Sequence, residues 1–207
     1  MNTKSLKAIL FDLGNVIVRF DAEKVEKEFG ACGKIKEGEF VDYITDSYNT
    51  NRYMEGKLTS SQFYNKTRRL FKMDIRFNEF YRVWNSMFYP YPEVEDIIKA
   101  ISEKYPDIKL VLISNTNESH YEFIRERYKI LDLMDAHVVS HEVGKQKPHT
   151  DIFNEALRLA ESIPKDTFYT DDRLDLIEAA RVMGIRAFQF VGHDQLREQL
   201  TKYNIHI

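Results

Sequence analysis

Cys32 is the single cysteine in the 207-residue chain, so no intramolecular disulfide can form. That usage fits a reducing compartment. Long hydrophobic runs are missing too. The apolar run that follows the polar start, Ala8 to Phe11, is broken by Asp12 too soon for a signal-peptide core. No stretch approaches the roughly 20 apolar residues that cross a bilayer. A soluble, cytoplasmic protein without a membrane partner is the expectation. A basic excess is also absent, with 30 Lys and Arg against 33 Asp and Glu and a formal charge of -3. Nothing in that balance neutralises a phosphate backbone, which argues against nucleic acid as the main partner. Repeats and low-complexity segments are lacking, and the sequence is silent on oligomeric state.

What is present is enough apolar surface for a core: 43% hydrophobic and 13% aromatic residues. The length suits one substantial domain with a smaller insert. Short β-compatible runs recur at Ala8–Phe11, Leu110–Ile113, Ala136–Val139, Thr167–Thr170 and Arg186–Phe190. Between them lie helical stripes. Val94, Ile97, Ile98, Ile101 and Tyr105 form one, with Pro92 in its first turn; Ile152, Phe153, Ala156, Leu157 and Ala160 form a second. Leu176, Ile177, Ala180 and Met183 form a third, stopped by Gly184. Strands alternating with helices predict an α/β protein with a doubly wound parallel sheet covered on both faces.

From Val18 to Phe88 the alternation breaks, and that stretch reads as helices without a convincing strand. Asp21 is positioned to cap a helix through Phe29, and Thr59 or Ser60 another through Phe71. Phe77, Phe80, Tyr81, Trp84 and Phe88 line one face of a third, a stripe better explained by core packing than by a ligand. The predicted division is a sheet-bearing core at 1–17 and 89–207, with an α-helical insert at 18–88.

Four polar sites stand at or just beyond the carboxyl ends of predicted strands: Asp12, Ser114-Asn115, Lys147 and Asp171-Asp172. In a doubly wound sheet these ends converge on one crevice. Each site alone has a bland reading as a turn former, helix cap, surface lysine or helix N-terminal charge pair. The ordered set is more specific. It combines a carboxylate nucleophile, a hydroxyl with a backbone N–H, an ammonium and paired acids, which is what phosphoryl transfer requires. Asp171 and Asp172 beside Asp12 call for a cation, and hard oxygen ligands of this kind suit Mg²⁺. Ser114, Asn115 and Lys147 are then the groups expected to hold phosphate oxygens.

These residues resemble the haloacid dehalogenase superfamily of hydrolases. The likeness spans nearly the whole chain, through Phe11-Asp12-Leu13-Gly14-Asn15-Val16-Ile17-Val18, Leu112-Ile113-Ser114-Asn115-Thr116-Asn117, Gly144-Lys145-Gln146-Lys147-Pro148 and Asp171-Asp172-Arg173-Leu174-Asp175. The first two stretches are similar to the branch containing bacterial α-D-glucose-1-phosphate phosphatases. The resemblance implies a Rossmann-like core with a helical cap, and Mg²⁺ on Asp12, on the Gly14 carbonyl and on Asp172, with Asp171 close by. It further implies hydrolysis of a small phosphorylated metabolite through an aspartyl phosphate. Dehalogenating relatives carry an aromatic residue where Gly14 stands and need no metal, so the acid pair argues against that activity.

Two positions depart from the family pattern. Gly14 replaces an acid that most phosphatases of the superfamily use for proton transfer, help typically worth about 10²–10⁴-fold. An anomeric oxygen leaves more readily than a simple alkoxide, which points to a sugar 1-phosphate. Leu176 stands where relatives often have Asn, with Asp175 as a candidate substitute. A non-catalytic relative that binds a phosphometabolite or a protein, and a sugar phosphomutase, are the competing readings. His149, Arg19 and Arg52 are further candidates for the crevice, though such residues are more often solvated or capping. His137 reads as a satisfied core histidine, and Arg173 as part of an ion pair.

Overall fold

The five apolar runs form one parallel sheet. The computed structural model describes residues 6–207, so most of the polar start lies outside the described residues. Strands β1 (Ala8–Phe11), β4 (Lys109–Ser114), β5 (Ala136–Val139), β6 (Thr167–Asp171) and β7 (Arg186–Gln189) lie in the order β5-β4-β1-β6-β7. All neighbours in this sheet pair in parallel. After β1 the chain winds outward through β4 and β5, then crosses to β6 and β7. The direction therefore reverses on either side of β1, the arrangement that opens a crevice at the strands' carboxyl ends.

Period-two alternation on β1 separates two cores. Ile9 and Phe11 pack with Val94, Ile97, Ile98 and Ile101 of helix α6 (Pro92–Lys104), Ile124 of α7 (Glu118–Arg127) and Leu196 and Leu200 of α11 (His193–Thr201). Ala8 and Leu10 pack on the other face with Ile152, Phe153 and Ala156 of α9 (Thr150–Leu159) and Ile177 and Ala180 of α10 (Leu174–Val182). Every residue of β1 is fully buried, so truncating Leu10 to Ala would cost about 2–5 kcal/mol. Pro92 occupies the first turn of α6, and Gly184 adopts φ +85° directly after the α10 cap. No described helix is long and apolar enough to cross a membrane.

The stretch expected to lack strands contains two. β2 (Val18–Phe20) and β3 (Phe88–Pro90) pair antiparallel, Val18 with Pro90 and Phe20 with Phe88. Three-residue strands paired across nearly the whole insert leave no local periodicity, which is why sequence pattern misses them. Phe88 consequently belongs to β3 and not to the preceding helix.

Between β2 and β3 lie α1 (Ala22–Gly30), α2 (Glu39–Asp46), α3 (Tyr48–Met54), α4 (Ser60–Leu70) and α5 (Phe77–Asn85). Asp21 caps α1 by accepting from Lys24 N at 2.9 Å, and Thr59 caps α4 in a reciprocal capping box with Gln62. Helix α2 carries no such local signal. Its exposed N–H groups are satisfied by Glu26 on α1, which accepts from Gly38, Phe40 and Val41 at 2.8–3.1 Å. These helices share an aromatic core of Phe29, Phe40, Tyr43, Phe63, Phe80 and Trp84. Phe29 stacks on Phe80 at 4.9 Å and Tyr53 on Phe63 at 4.5 Å, each pair adding about 0.5–1.5 kcal/mol beyond its buried area.

Candidate active site

The turn after β1 is made by Leu13, Gly14 and Asn15. Asn15 sits at φ +58°, a left-handed geometry that asparagine tolerates. Its N–H reaches the Val18 carbonyl at 2.6 Å, so the chain folds back at once and leaves Asp12 at the mouth of the crevice. Asp12 N–H in turn donates to Thr170 O of the neighbouring strand at 3.0 Å.

Lys147 joins the carboxylates. Its Nζ lies 2.6 Å from Asp12 Oδ1, 2.6 Å from Asp171 Oδ2 and 3.0 Å from the Ile113 carbonyl. The lysine is 3% exposed, Asp12 8% and Asp171 0%, so this is a buried ion triad. Asn115 holds the lysine in place. Its side chain accepts from Lys147 N at 2.7 Å and donates to Lys147 O at 2.9 Å. Asp171 is further fixed by Arg173 N–H at 2.9 Å and by the Tyr169 hydroxyl. Asp172 accepts from Asn15 Nδ2 at 3.0 Å. Oxygen atoms of Asp12, Asp171 and Asp172 all lie within 4.8 Å of one another.

The charges are unbalanced. Burial, with Asp171 and Asp172 adding to it, lifts Asp12 to about 7 against the opposing pull of Lys147. Burial likewise raises Asp172, opposed by the Asn15 hydrogen bond. Burial alone would lower the Lys147 ammonium, but Asp12 and Asp171 outweigh it and its pKa is raised. One buried cation among three carboxylates is a site short of positive charge.

A cavity of about 1130 Å³ opens over this cluster, ample for a small metabolite. Asp12, Gly14, Ser114, Asn115, Lys147, Asp171 and Asp172 all line it, so the four strand-end sites and the Gly14 turn meet there. Phe20, Trp84, Met87 and Phe88 supply apolar wall from the insert side.

Other candidates fall elsewhere. The Arg19 guanidinium stacks on the Tyr91 ring at 3.9 Å, and Arg52 reaches the Tyr48 hydroxyl and the Lys57 carbonyl. Neither lines the cavity. Asp175, the candidate substitute for the missing asparagine, pairs with Arg173 at 2.6 Å and does not line the cavity. His149 caps α9 at the cavity rim, and His137 is satisfied by Tyr121 and the Leu131 carbonyl.

Sequence reasoning missed Asn15, Tyr169, Ser140 and His120. Tyr169 was findable, because two residues before Asp171 on a strand means the same face. Ser140 was not. Its hydroxyl receives Thr116 N–H at 2.9 Å and lies 2.6 Å from the Met54 carbonyl, tying the core to helix α3 across a contact no local pattern encodes.

The chain belongs to the haloacid dehalogenase-like hydrolases, whose family model matches residues 9–190. It is 27% identical over 206 residues to a D-ribitol-5-phosphate phosphatase of Bacteroides thetaiotaomicron, covering 95% of this chain and 97% of that protein. Among solved structures it is similar to a family enzyme of the same organism in complex with magnesium and inorganic phosphate, with a TM-score of 0.79 at 23% identity, covering 89% and 94% of the two chains. A family hydrolase of Porphyromonas gingivalis superposes with a TM-score of 0.80 at 21% identity, covering 98% and 99%. These two likenesses concern the fold.

Proposed function

We propose that the protein is a Mg²⁺-dependent phosphomonoesterase acting on a small phosphorylated sugar or sugar alcohol. The observation that carries this reading is the triad of Asp12, Lys147 and Asp171 with Asp172 beside it, one buried cation among three clustered carboxylates. The donor set fits a hard divalent cation, being all oxygen and short of positive charge. Asp12, Asp172 and the Gly14 carbonyl would hold it, with Asp171 alongside. Bound there, Mg²⁺ would neutralise phosphate charge so that the carboxylate and phosphoryl group can meet.

This chain's own residues carry the rest. Asp12, oriented by Lys147, attacks phosphorus, and the bond to the leaving oxygen breaks. Ser114, the Asn115 N–H and Lys147 hold the phosphoryl oxygens through the transition state. Water then cleaves the aspartyl phosphate, releasing inorganic phosphate and restoring Asp12. The helices between β2 and β3 act as a cap that encloses the substrate. Gly14 provides no side chain for proton transfer, which favours a leaving group as good as an anomeric oxygen. The D-ribitol-5-phosphate phosphatase relative favours a polyol phosphate instead.

Hydrolysis of an aryl phosphate, with and without Mg²⁺, tests the reading. An aryl oxygen needs little protonation, so metal-dependent turnover is expected despite Gly14. Absence of that turnover, with Asp12→Asn indistinguishable from wild type, would leave a binding protein as the better account.

A further inference from the structure

Building on the phosphatase reading, we propose that the insert-side wall of the cavity selects monophosphates whose leaving group is a neutral, hydroxyl-bearing chain. It excludes substrates with a second anionic group, and Asp46 and Glu55 do the excluding.

The charge map of the cavity carries this. Its basic side chains on the core side are Lys147, shared between Asp12 and Asp171, Arg173, paired with Asp175, and His149, which lies 3.5 Å from Asp151. The insert contributes no Lys or Arg to the wall, but it contributes the carboxylates of Asp46 and Glu55. Glu55 is bridged to Lys57 at 2.5 Å, so Asp46, which is in no ion pair among the described residues, carries the larger share of the repulsion. Asp46 accepts from Asn51 Nδ2 at 3.2 Å, and Thr45 and Asn51 line the cavity beside it. A terminal carboxylate or second phosphate entering on the insert side would face like charge with no Lys or Arg of the insert beside it, an arrangement that discriminates by repulsion. Hydroxyl groups would instead donate to the same two acids.

Two neutral rings complete the wall. Trp84 and His120 stack at 4.5 Å, one from the insert and one from the core, and both line the cavity. Trp84 Nε1 and His120 Nε2 are buried with no hydrogen-bond partner among the described residues, which is uncommon for buried polar atoms. Asn117 Nδ2 points at His120 Nδ1 from 3.1 Å, so the ring proton belongs on Nε2. Burial drives that imidazole down to about 3, and the nearby Trp84 carbonyl, outside hydrogen-bond geometry, opposes the shift without reversing it. The imidazole is therefore uncharged at neutral pH, so neither ring adds a counter-ion to the wall. Phe20, Met87 and Phe88 offer apolar surface for the C–H groups of the same chain.

The experiment compares ribitol 5-phosphate with ribonate 5-phosphate, which differs by a carboxylate at the far end, using an aryl phosphate as reference. The expected wild-type kcat/KM ratio is about tenfold in favour of the polyol, mostly in KM, the scale of repulsion from solvent-facing charge. In the Asp46→Asn/Glu55→Gln double variant the ratio falls to about twofold or less. Metal-dependent aryl turnover with equal use of polyol and aldonate would overturn the proposal and leave the phosphatase reading standing. A wild-type preference unchanged in the double variant would overturn the role of the two acids. No aryl turnover at all would remove both.

Discussion

The two sides of the cavity are built on opposite principles. On the strand side, Asp12, Lys147, Asp171 and Asp172 lie at or beside strand ends, and Asn115, Tyr169, Asn15 and the Arg173 backbone hold them by direct hydrogen bonds. On the insert side, Phe20, Trp84, Met87 and Phe88 come from short strands, a helix and the turn between them, and Trp84 stacks on His120 of the core. The first is pre-organised for one reaction, since fixed polar groups need no rearrangement when charge develops. The second presents apolar rings and the acids Asp46 and Glu55, a surface suited to contact with a ligand and not to bond making. Chemistry and selection are thus separated in the fold, and each side can be broken without the other.

The largest effect is expected on the strand side. Asp12→Asn removes the proposed nucleophile and should lower aryl-phosphate turnover by about four orders of magnitude. Its melting temperature should hold or rise, because the lost carboxylate is one that burial lifts to about 7. A variant that keeps a tenth of its activity would exclude Asp12 from bond making. Lys147→Met leaves Asp12 and Asp171 buried without their cation. Losing one partner of a buried ion pair costs about 3–5 kcal/mol, to be read by urea unfolding in the presence of a chelator.

The same contrast explains what the sequence revealed. Asp12, Ser114 and Asp171 end strands whose apolar runs are contiguous, so position in the sheet follows from local pattern. The insert's α1 and α4 were legible because Asp21 and Thr59 sit next to the N–H groups they cap. Helix α2 was not, because its capping carboxylate, Glu26, arrives from another helix. The pairing of Phe20 with Phe88 and the stacking of Trp84 on His120 depend on contacts between distant segments. Those contacts form the selective wall, which is why the reaction was readable and the substrate was not.

The seam between the two sides should respond next. Gly56 lies at φ +67°, and a Cβ there would sit 2.2 Å from the His141 carbonyl oxygen. Gly56→Ala is therefore expected to destabilise the protein by about 2–3 kcal/mol, measured by the same unfolding titration. His120 tests the seam by pH. Its folded pKa, about 3, lies below the ordinary 6.5, so the unfolded chain binds the proton more readily. The stabilising contribution is complete above 6.5 and is lost progressively as pH falls from there towards 3. By pH 5 that loss is about 2 kcal/mol at 1.36 kcal/mol per unit. In His120→Phe the decline in stability between pH 7 and 5 should be shallower by that amount. Identical slopes would mean that the imidazole titrates normally.

The smallest expected effect lies where the two sides touch. Gly14 belongs to the strand end and Phe20 to the insert, and a Cβ at Gly14 would meet Phe20 Cε1 at 3.2 Å. Gly14 is not among the glycines with positive φ, so an L-residue fits the local geometry and only the ring stands in its way. The obstacle is the far end of a side chain that is 39% exposed and free to swing toward solvent. Gly14→Asp should accordingly fold, place an acid near the leaving oxygen, and raise turnover of alkyl phosphates about tenfold, the low end of general acid–base assistance because the ring must yield. Aryl phosphates, whose leaving group needs no proton, should gain little. Adding Phe20→Leu should enlarge the alkyl gain if the ring is the obstacle. Equal gains on both substrate types would show that the new carboxylate acts by something other than proton transfer. No gain in either variant would mean that the missing acid is not what limits this site, and that another group or water already protonates the departing oxygen.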